Sequence, residues 1–290
     1  MIDKISVFAA DIDGTLAGKG EQLMPLTKAG LEKLHEQGIM VGLASGRPLD
    51  ESTVEKGQFW GLNFDFDFAI GMNGGDLWAK ETNEYTHYMQ LDGQTIKEIL
   101  EMIWDMDVNC IIYKNAYHHI KAKRMDNFLR ESQQRNHSYI EIGSIDELSD
   151  GPTGKIEVHL THDIEDELLR RIKANKSDKW TYCITFDSRT MHLENDFINH
   201  VTYEFMNPDL HKGVALKKYC EMKNIPLEET IAFGDQQNDF GLIQTAGWGV
   251  CLKNGCDECK QVAQAVTEYD VFNDGVGHYL EDHVFSKDSE

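Results

Sequence analysis

Asp11 and Asp13 stand two apart in the run Asp11-Ile12-Asp13-Gly14-Thr15. On extended backbone such a pair points to one side, and Gly14 permits a sharp turn directly after it. Two carboxylates on one side repel each other unless a cation lies between them, although the run alone reads equally well as a strand-ending turn. A second acidic loop is Gly234-Asp235-Gln236-Gln237-Asn238-Asp239. Its plain reading is a set of polar residues capping a helix, but Asp235 is also the partner carboxylate that a hard cation near Asp11 requires. Magnesium takes oxygen ligands and is commonly held by one or two carboxylates together with a substrate phosphate. Asp11 and Asp235 suit that demand. Ser45-Gly46-Arg47 offers a hydroxyl, backbone N–H groups and a guanidinium, all donors to a phosphate oxygen; the alternative is a helix cap with a surface arginine. Lys212, in His211-Lys212-Gly213, stands where a helix is expected to start. A cation there is unfavourable unless an anion is close, and a solvent-facing lysine is the competing reading.

The elements that must position these residues are short apolar runs. Ile5–Ala10, Ile39–Ala44, Phe66–Ile70 and Thr230–Phe233 each end in a polar or glycine-rich loop. Continuous rather than alternating apolarity predicts strands buried on both faces, as in a parallel sheet. Helices are expected at Thr27–Gln37, stopping at Gly38, and at Lys212–Lys223. Strand, loop, helix, strand is the order of an open α/β sheet, which gathers its ligand at the carboxyl ends of the strands. All four polar loops then share one edge.

Between about residues 84 and 203 the texture changes. Thr95 opens an amphipathic helix with Ile96, Ile99, Leu100 and Ile103 on one face, and further helices are expected at Met125–Gln134 and Asp163–Ala174. Cys110–Tyr113 with His118–Lys121, and Tyr182–Phe186 with Thr190–Glu194, read as hairpins, and Lys155–Thr161 alternates like a strand. The expectation is a Rossmann-like parallel-sheet core of residues 1–83 and 204–290, interrupted by an inserted α+β domain of residues 84–203.

Acids outnumber bases 50 to 28 over 290 residues, a formal charge of −22. That balance disfavours a general nucleic-acid binder and a polybasic membrane anchor. No stretch approaches the ~20 apolar residues of a membrane span. The N-terminal run stops at Asp11, which fits no signal peptide. Six cysteines in a chain this long do not read as a disulfide framework, so a reduced, cytoplasmic protein is expected. Cys251, Cys256 and Cys259 could suggest zinc, with ordinary thiols the favoured reading because no fourth ligand follows in sequence. The chain is not expected to bind nucleic acid or membrane, and its oligomeric state is not legible.

In this order and spacing the motifs resemble the haloacid dehalogenase superfamily of phosphohydrolases. Those motifs are Asp11-Ile12-Asp13-Gly14-Thr15-Leu16, Ser45-Gly46-Arg47, Lys212-Gly213 and Gly234-Asp235 with Asn238-Asp239. Asn73-Gly74, Ala246-Gly247, Asn254 and Asp274-Gly275-Val276, with the large insertion, narrow the resemblance to the Cof-like subgroup, type IIB with a C2 cap. The resemblance implies a magnesium-dependent phosphatase of small phosphorylated metabolites, sugar phosphates foremost. Asp11 would be the nucleophile of an aspartyl-phosphate, and Asp13 the acid and base. Ser45, Gly46, Arg47, Asn73, Lys212 and Asn238 would bind phosphate or substrate. Magnesium would be held by Asp11, Asp235 and the Asp13 carbonyl, with Thr15 and Asp239 supporting. The cap would choose the leaving group, and the cluster of Tyr117, His118 and His119 with Lys114, Lys121, Lys123 and Arg124 is a candidate for that, against a solvated hairpin surface. His211 departs from the small polar residue usual before the lysine. A phosphotransferase or mutase with the same intermediate, and a non-catalytic phosphometabolite-binding regulator, are the alternatives.

Overall fold

The computed structural model describes residues 4–18, 20, 22–189 and 199–286. Fourteen strands lie among the described residues. The first five are β1 (Val7–Asp11), β2 (Met40–Ala44), β3 (Phe68–Gly71), β4 (Asp76–Ala79) and β5 (Glu84–His87). The next six are β6 (Asn109–Asn115), β7 (His119–Ala122), β8 (Tyr139–Ile142), β9 (Lys155–Thr161), β10 (Thr181–Asp187) and β11 (His200–Met206). β12 (Thr230–Gly234), β13 (Trp248–Cys251) and β14 (Ala265–Val266) complete the set.

One sheet runs β14-β13-β12-β1-β2-β3-β4-β5. It is parallel from β14 to β3, and β4 and β5 add an antiparallel edge. The four predicted apolar runs are therefore the four central neighbours β12, β1, β2 and β3. Every residue of β1 is buried, and its side chains alternate between two cores. Phe8 and Ala10 pack with Leu31 and Leu34 of the helix Pro25–Glu36. Val7 and Ala9 pack with Ala215, Leu216 and Tyr219 of the helix Lys212–Lys223. Helices on both faces make the doubly wound α/β architecture that continuous apolar strands imply. Asp274 locks the first of these helices. Its carboxylate accepts the N–H groups of Leu26 and Thr27 at 2.8 and 2.7 Å and the Thr27 hydroxyl at 2.7 Å. It thus serves donors that the start of a helix otherwise leaves open.

The other sheet runs β10-β11-β9-β6-β7-β8 and is antiparallel except for β7 with β8. Its apolar face, Ile156, Val158 and Leu160 among others, packs on Ile96, Ile99, Leu100 and Ile103. The helix carrying those residues is Gly93–Ile103, and its cap is Asp92, whose carboxylate accepts the Thr95 N–H at 2.7 Å. Thr95 lies inside the helix because the carboxylate three residues earlier is the stronger acceptor. β10 pairs with β11, so the expected Tyr182–Phe186 strand finds its partner farther along the chain. Thr190–Glu194 lies outside the described residues.

The chain divides into two compact units, Met1–Tyr88 with Leu210–Glu290, and Met89–Asp209. The boundaries fall a few residues later than 83/84 and 203/204. β5 hydrogen-bonds to β4 in the first sheet, and all of β11 to β9 and β10 in the second. No helix among the described residues is long and apolar enough to cross a membrane.

Candidate active site

β1 ends at Asp11 and β12 at Gly234, next to Asp235. Because the two strands are parallel neighbours, both acids emerge at the same sheet edge. Gly14 turns the chain between them with φ +95°, and a Cβ on it would lie 2.5 Å from Asp235 Oδ2. Only glycine serves there, on both conformational and steric grounds. The turn is braced by Asn254, which donates from Nδ2 to the Gly14 carbonyl at 2.8 Å and accepts the Val271 N–H at 2.9 Å.

Lys212 is the first residue of its helix and is 0% exposed. Its ammonium donates to Asp11 Oδ1 and to Asp239 Oδ1, each at 2.6 Å. The solvent-facing reading of this lysine is wrong: an anion does lie at the helix start, and there are two. Asp239 is fully buried, and its Oδ2 accepts the N–H groups of Asp235 and Gln236 at 2.9 and 3.0 Å. Asp235 accepts the Thr15 hydroxyl on Oδ1 at 2.8 Å and the Gln236 amide on Oδ2 at 3.1 Å.

The β2 and β3 ends are knitted together beside this cluster. Ser45 receives the Arg47 N–H on Oγ at 3.1 Å, and its carbonyl accepts the Asn73 N–H at 3.3 Å. Asn238 donates to Asn73 Oδ1 at 3.3 Å. A Cβ on Gly46 would lie 2.7 Å from that same oxygen, so the glycine lets the two asparagines approach. Arg47 turns to Asp13, with Nη2 and Oδ2 2.7 Å apart and both side chains partly exposed. The predicted residues thus fall into three groups: Asp11, Thr15, Lys212, Asp235 and Asp239; Ser45, Gly46, Asn73 and Asn238; and the pair Asp13–Arg47.

Burial pushes the Asp11 carboxyl well above the usual range, and Asp239 and Asp235 push the same way against the Lys212 charge. Asp235 is raised to about 6 by burial and by Asp239. Burial disfavours the Lys212 ammonium, yet Asp11 and Asp239 more than offset this and hold it above its ordinary value. Oxygens of Asp11, Asp235 and Asp239 lie within 4.8 Å of one another. Three carboxylates against one ammonium leave two negative charges, which one divalent cation would neutralise. Both Asp239 oxygens are held by fixed donors, Oδ1 by the buried Lys212 ammonium and Oδ2 by two backbone N–H groups. Asp235 meets only a hydroxyl and a side-chain amide that can turn aside, so Asp11 and Asp235 are the better ligands. An all-oxygen donor set suits magnesium.

Sequence reasoning passed over Gln236 and also Lys56, whose ammonium is held below its ordinary value by burial and by the nearby Arg47 cation. The basic cluster in the inserted unit, set in the sequence against a plain hairpin surface, is paired internally. Lys114 and Lys121 both pair with Asp150, at 2.8 and 2.6 Å, Arg124 pairs with Asp107, and Lys123 donates to the Trp104 and Met106 carbonyls, each at 2.7 Å. His119 lies 3.2 Å from Glu141. These cations are spent within their own unit. Cys251 and Cys259 pack with Ile243 as small apolar side chains.

The haloacid dehalogenase-like hydrolase family matches residues 8–280. The chain belongs to that family. Among curated relatives of this hydrolase, the 5-amino-6-(5-phospho-D-ribitylamino)uracil phosphatase YitU of Bacillus subtilis (strain 168) is 24% identical over 290 residues, spanning 98% of this chain and 99% of the relative. Among solved structures, a haloacid dehalogenase-like hydrolase from Bacteroides thetaiotaomicron superposes with a TM-score of 0.74 at 23% identity, covering 96% of this chain and 99% of that one. A sugar phosphatase of haloacid dehalogenase subclass IIB gives 0.74 at 21% identity over 95% and 98%. These likenesses show the same fold, with the parallel-sheet core expected from the sequence.

Proposed function

We propose that this hydrolase is a magnesium-dependent phosphatase of the Cof-like subgroup, acting on small phosphorylated metabolites, sugar phosphates foremost, through an aspartyl-phosphate. The observation that carries the reading is Lys212: fully buried, it holds the Asp11 carboxylate at 2.6 Å on the end of the central strand, beside Asp235. An ammonium in that place is suited to the negative charge that a phosphate ester and a carboxylate bring together.

An Asp11 carboxylate oxygen attacks phosphorus in line with the ester oxygen, forming the acyl phosphate as the P–O ester bond breaks. Asp13, on the more open side, gives its proton to the departing oxygen. It then takes a proton from the water that attacks phosphorus, which frees Asp11 and releases inorganic phosphate. Lys212, Ser45, the Gly46 N–H, Asn73 and Asn238 hold the phosphoryl oxygens, and Arg47 orients the Asp13 carboxylate. Thr15 and Asp239 fix Asp235 and Lys212. Asp11, Asp235 and the Asp13 carbonyl would hold magnesium, which supplies charge neutralisation on the phosphoryl oxygens.

The names of similar proteins, a phosphoribitylamino-uracil phosphatase and a sugar phosphatase, support a small phosphorylated polyol or sugar. We take the inserted unit to be the part that sets the choice of leaving group. Six free thiols favour the reducing cytoplasm as its setting.

A panel of phosphorylated sugars, nucleotides and cofactors with magnesium, ranked by kcat/KM for phosphate release, tests the reading. Asp11→Asn should abolish turnover, and a fully active Asp11→Asn enzyme would sink the proposal. An isomeric phosphate ester in place of free phosphate would point to a mutase, and binding without turnover to a regulator.

A further inference from the structure

His211 is interlocked with the site from two sides. A Cβ on Gly241 would lie 2.1 Å from His211 Nδ1 and 2.3 Å from its Cγ, and a Cβ on Gly74 would lie 2.2 Å from the His211 carbonyl oxygen. On the far side of Lys212, a Cβ on Gly213 would lie 2.2 Å from the Gly241 carbonyl oxygen. Contacts this short do not occur between real side chains. The imidazole therefore fills the space that a missing side chain at 241 leaves, while the main chain of 211–213 lies directly on the turn Met72–Gly74 and on the start of the helix Phe240–Thr245. His211 itself is extended, at φ −156° and ψ 159°, and its carbonyl accepts the Val214 N–H at 2.9 Å as the helix begins. Each of its contacts adjoins a residue of the site in the chain: Gly74 follows Asn73, Gly241 lies just past Asp239, and Lys212 is the next residue.

We infer that His211 is the positioning residue for Lys212, its ring wedged against Gly241 so that Nζ sits between Asp11 and Asp239. This rests on the phosphatase reading above. Lysine carries a point charge on a flexible stem, so buried carboxylates alone do not set where its Cα sits. The backbone of the helix start does, and the wedge holds that backbone. Displacing a reacting group by about 1 Å costs on the order of 100-fold in rate.

The test uses the full chain with magnesium and p-nitrophenyl phosphate. His211→Ala should lower kcat by roughly 10- to 100-fold while KM moves by less than about threefold, because the lysine acts most on the charge of the transition state. His211→Asn, whose side chain reaches the Nδ1 position, should recover most of the loss. Gly241→Ala should reproduce the loss by expelling the ring. The double variant His211→Ala/Gly241→Ala should be no worse than the worse single variant, since both remove one contact. A His211→Ala kcat within about threefold of wild type, or losses that multiply in the double variant, would overturn the inference and leave the phosphatase reading standing. Thermal melts without substrate read the wedge separately. Gly241→Ala should cost a larger drop in Tm with His211 present than in the His211→Ala background, and equal drops refute the wedge even if wild type hydrolyses no ester.

Discussion

Removing the charge of Asp235 should make the metal-free protein more stable, although the residue is buried and hydrogen-bonded. Its carboxyl titrates at about 6 in the folded chain against an ordinary 3.8. The folded-state value is the higher one, so the penalty is absent below about pH 4, grows as pH rises, and is complete above about pH 6. A gap of 6 − 3.8, at 1.36 kcal/mol per pH unit, makes it about 3 kcal/mol at neutral pH. Asp235→Asn removes that penalty and keeps an oxygen for the Thr15 hydroxyl. In chelator near pH 7.5 the variant should melt higher than wild type, by up to about 6–12 °C at ~2–4 °C per kcal/mol for a unit of this size. Near pH 4 the advantage should vanish. Magnesium should bring wild type back about level with the variant, because a ligand at 100 times its Kd stabilises its own site by about 2.7 kcal/mol and the variant has lost one of the two preferred ligands. The assay is a set of thermal melts at both pH values, with chelator or with millimolar magnesium, followed on the transition of the unit that carries the site. A variant less stable than wild type in chelator at pH 7.5, or one stabilised by magnesium as strongly as wild type, would refute the reasoning.

Lys212→Met keeps the stem but leaves Asp11 and Asp239 facing each other without their cation. It should cost about 3–5 kcal/mol in urea unfolding and abolish phosphate release, and Asp239→Asn in the same chain should recover part of the stability. The inserted unit carries its own pH dependence. His159 is held up at about 9, since Asp126 and Glu157 more than offset the burial that works against its charge. Its contribution is complete below about pH 6.5 and is lost as pH rises through 9, so this unit should unfold at lower urea at pH 10 than at pH 6.5. His159→Gln should flatten that profile, and an unchanged profile would show that His159 does not set it.

The polar loops were legible because the runs before them are apolar without alternation. Such runs must be buried on both faces, which makes a parallel sheet and brings their ends to one edge. β9 shows where this kind of reading stops. Its alternation correctly marks a strand with Ile156, Val158 and Leu160 in the core, and implies a wet opposite face. Yet Lys155, Glu157 and His159 are only 3%, 8% and 6% exposed. Lys155 pairs with Glu204, His159 with Glu157 at 2.7 Å, and the Tyr113 hydroxyl donates to Glu157 at 2.9 Å. Periodicity reports which residues share a face and says nothing of whether ion pairs close that face off.

By itself the sequence determined the kind of chemistry: acids at two strand ends, phosphate donors at a third, and a lysine opening a helix, in the order of one hydrolase family. Tertiary structure decided what each group does there. It buried Lys212 between two carboxylates, turned Arg47 onto Asp13, and enlisted Asn254 and Asp274 as braces for distant segments. Lys212 and Asp11 are 201 residues apart in the chain, and Asp274 and Thr27 are 247 apart. Contacts at such separation leave no local pattern to read. They exist only because the parallel sheet brings the strand ends and helix starts to one edge, where burial then makes each charge depend on its neighbour.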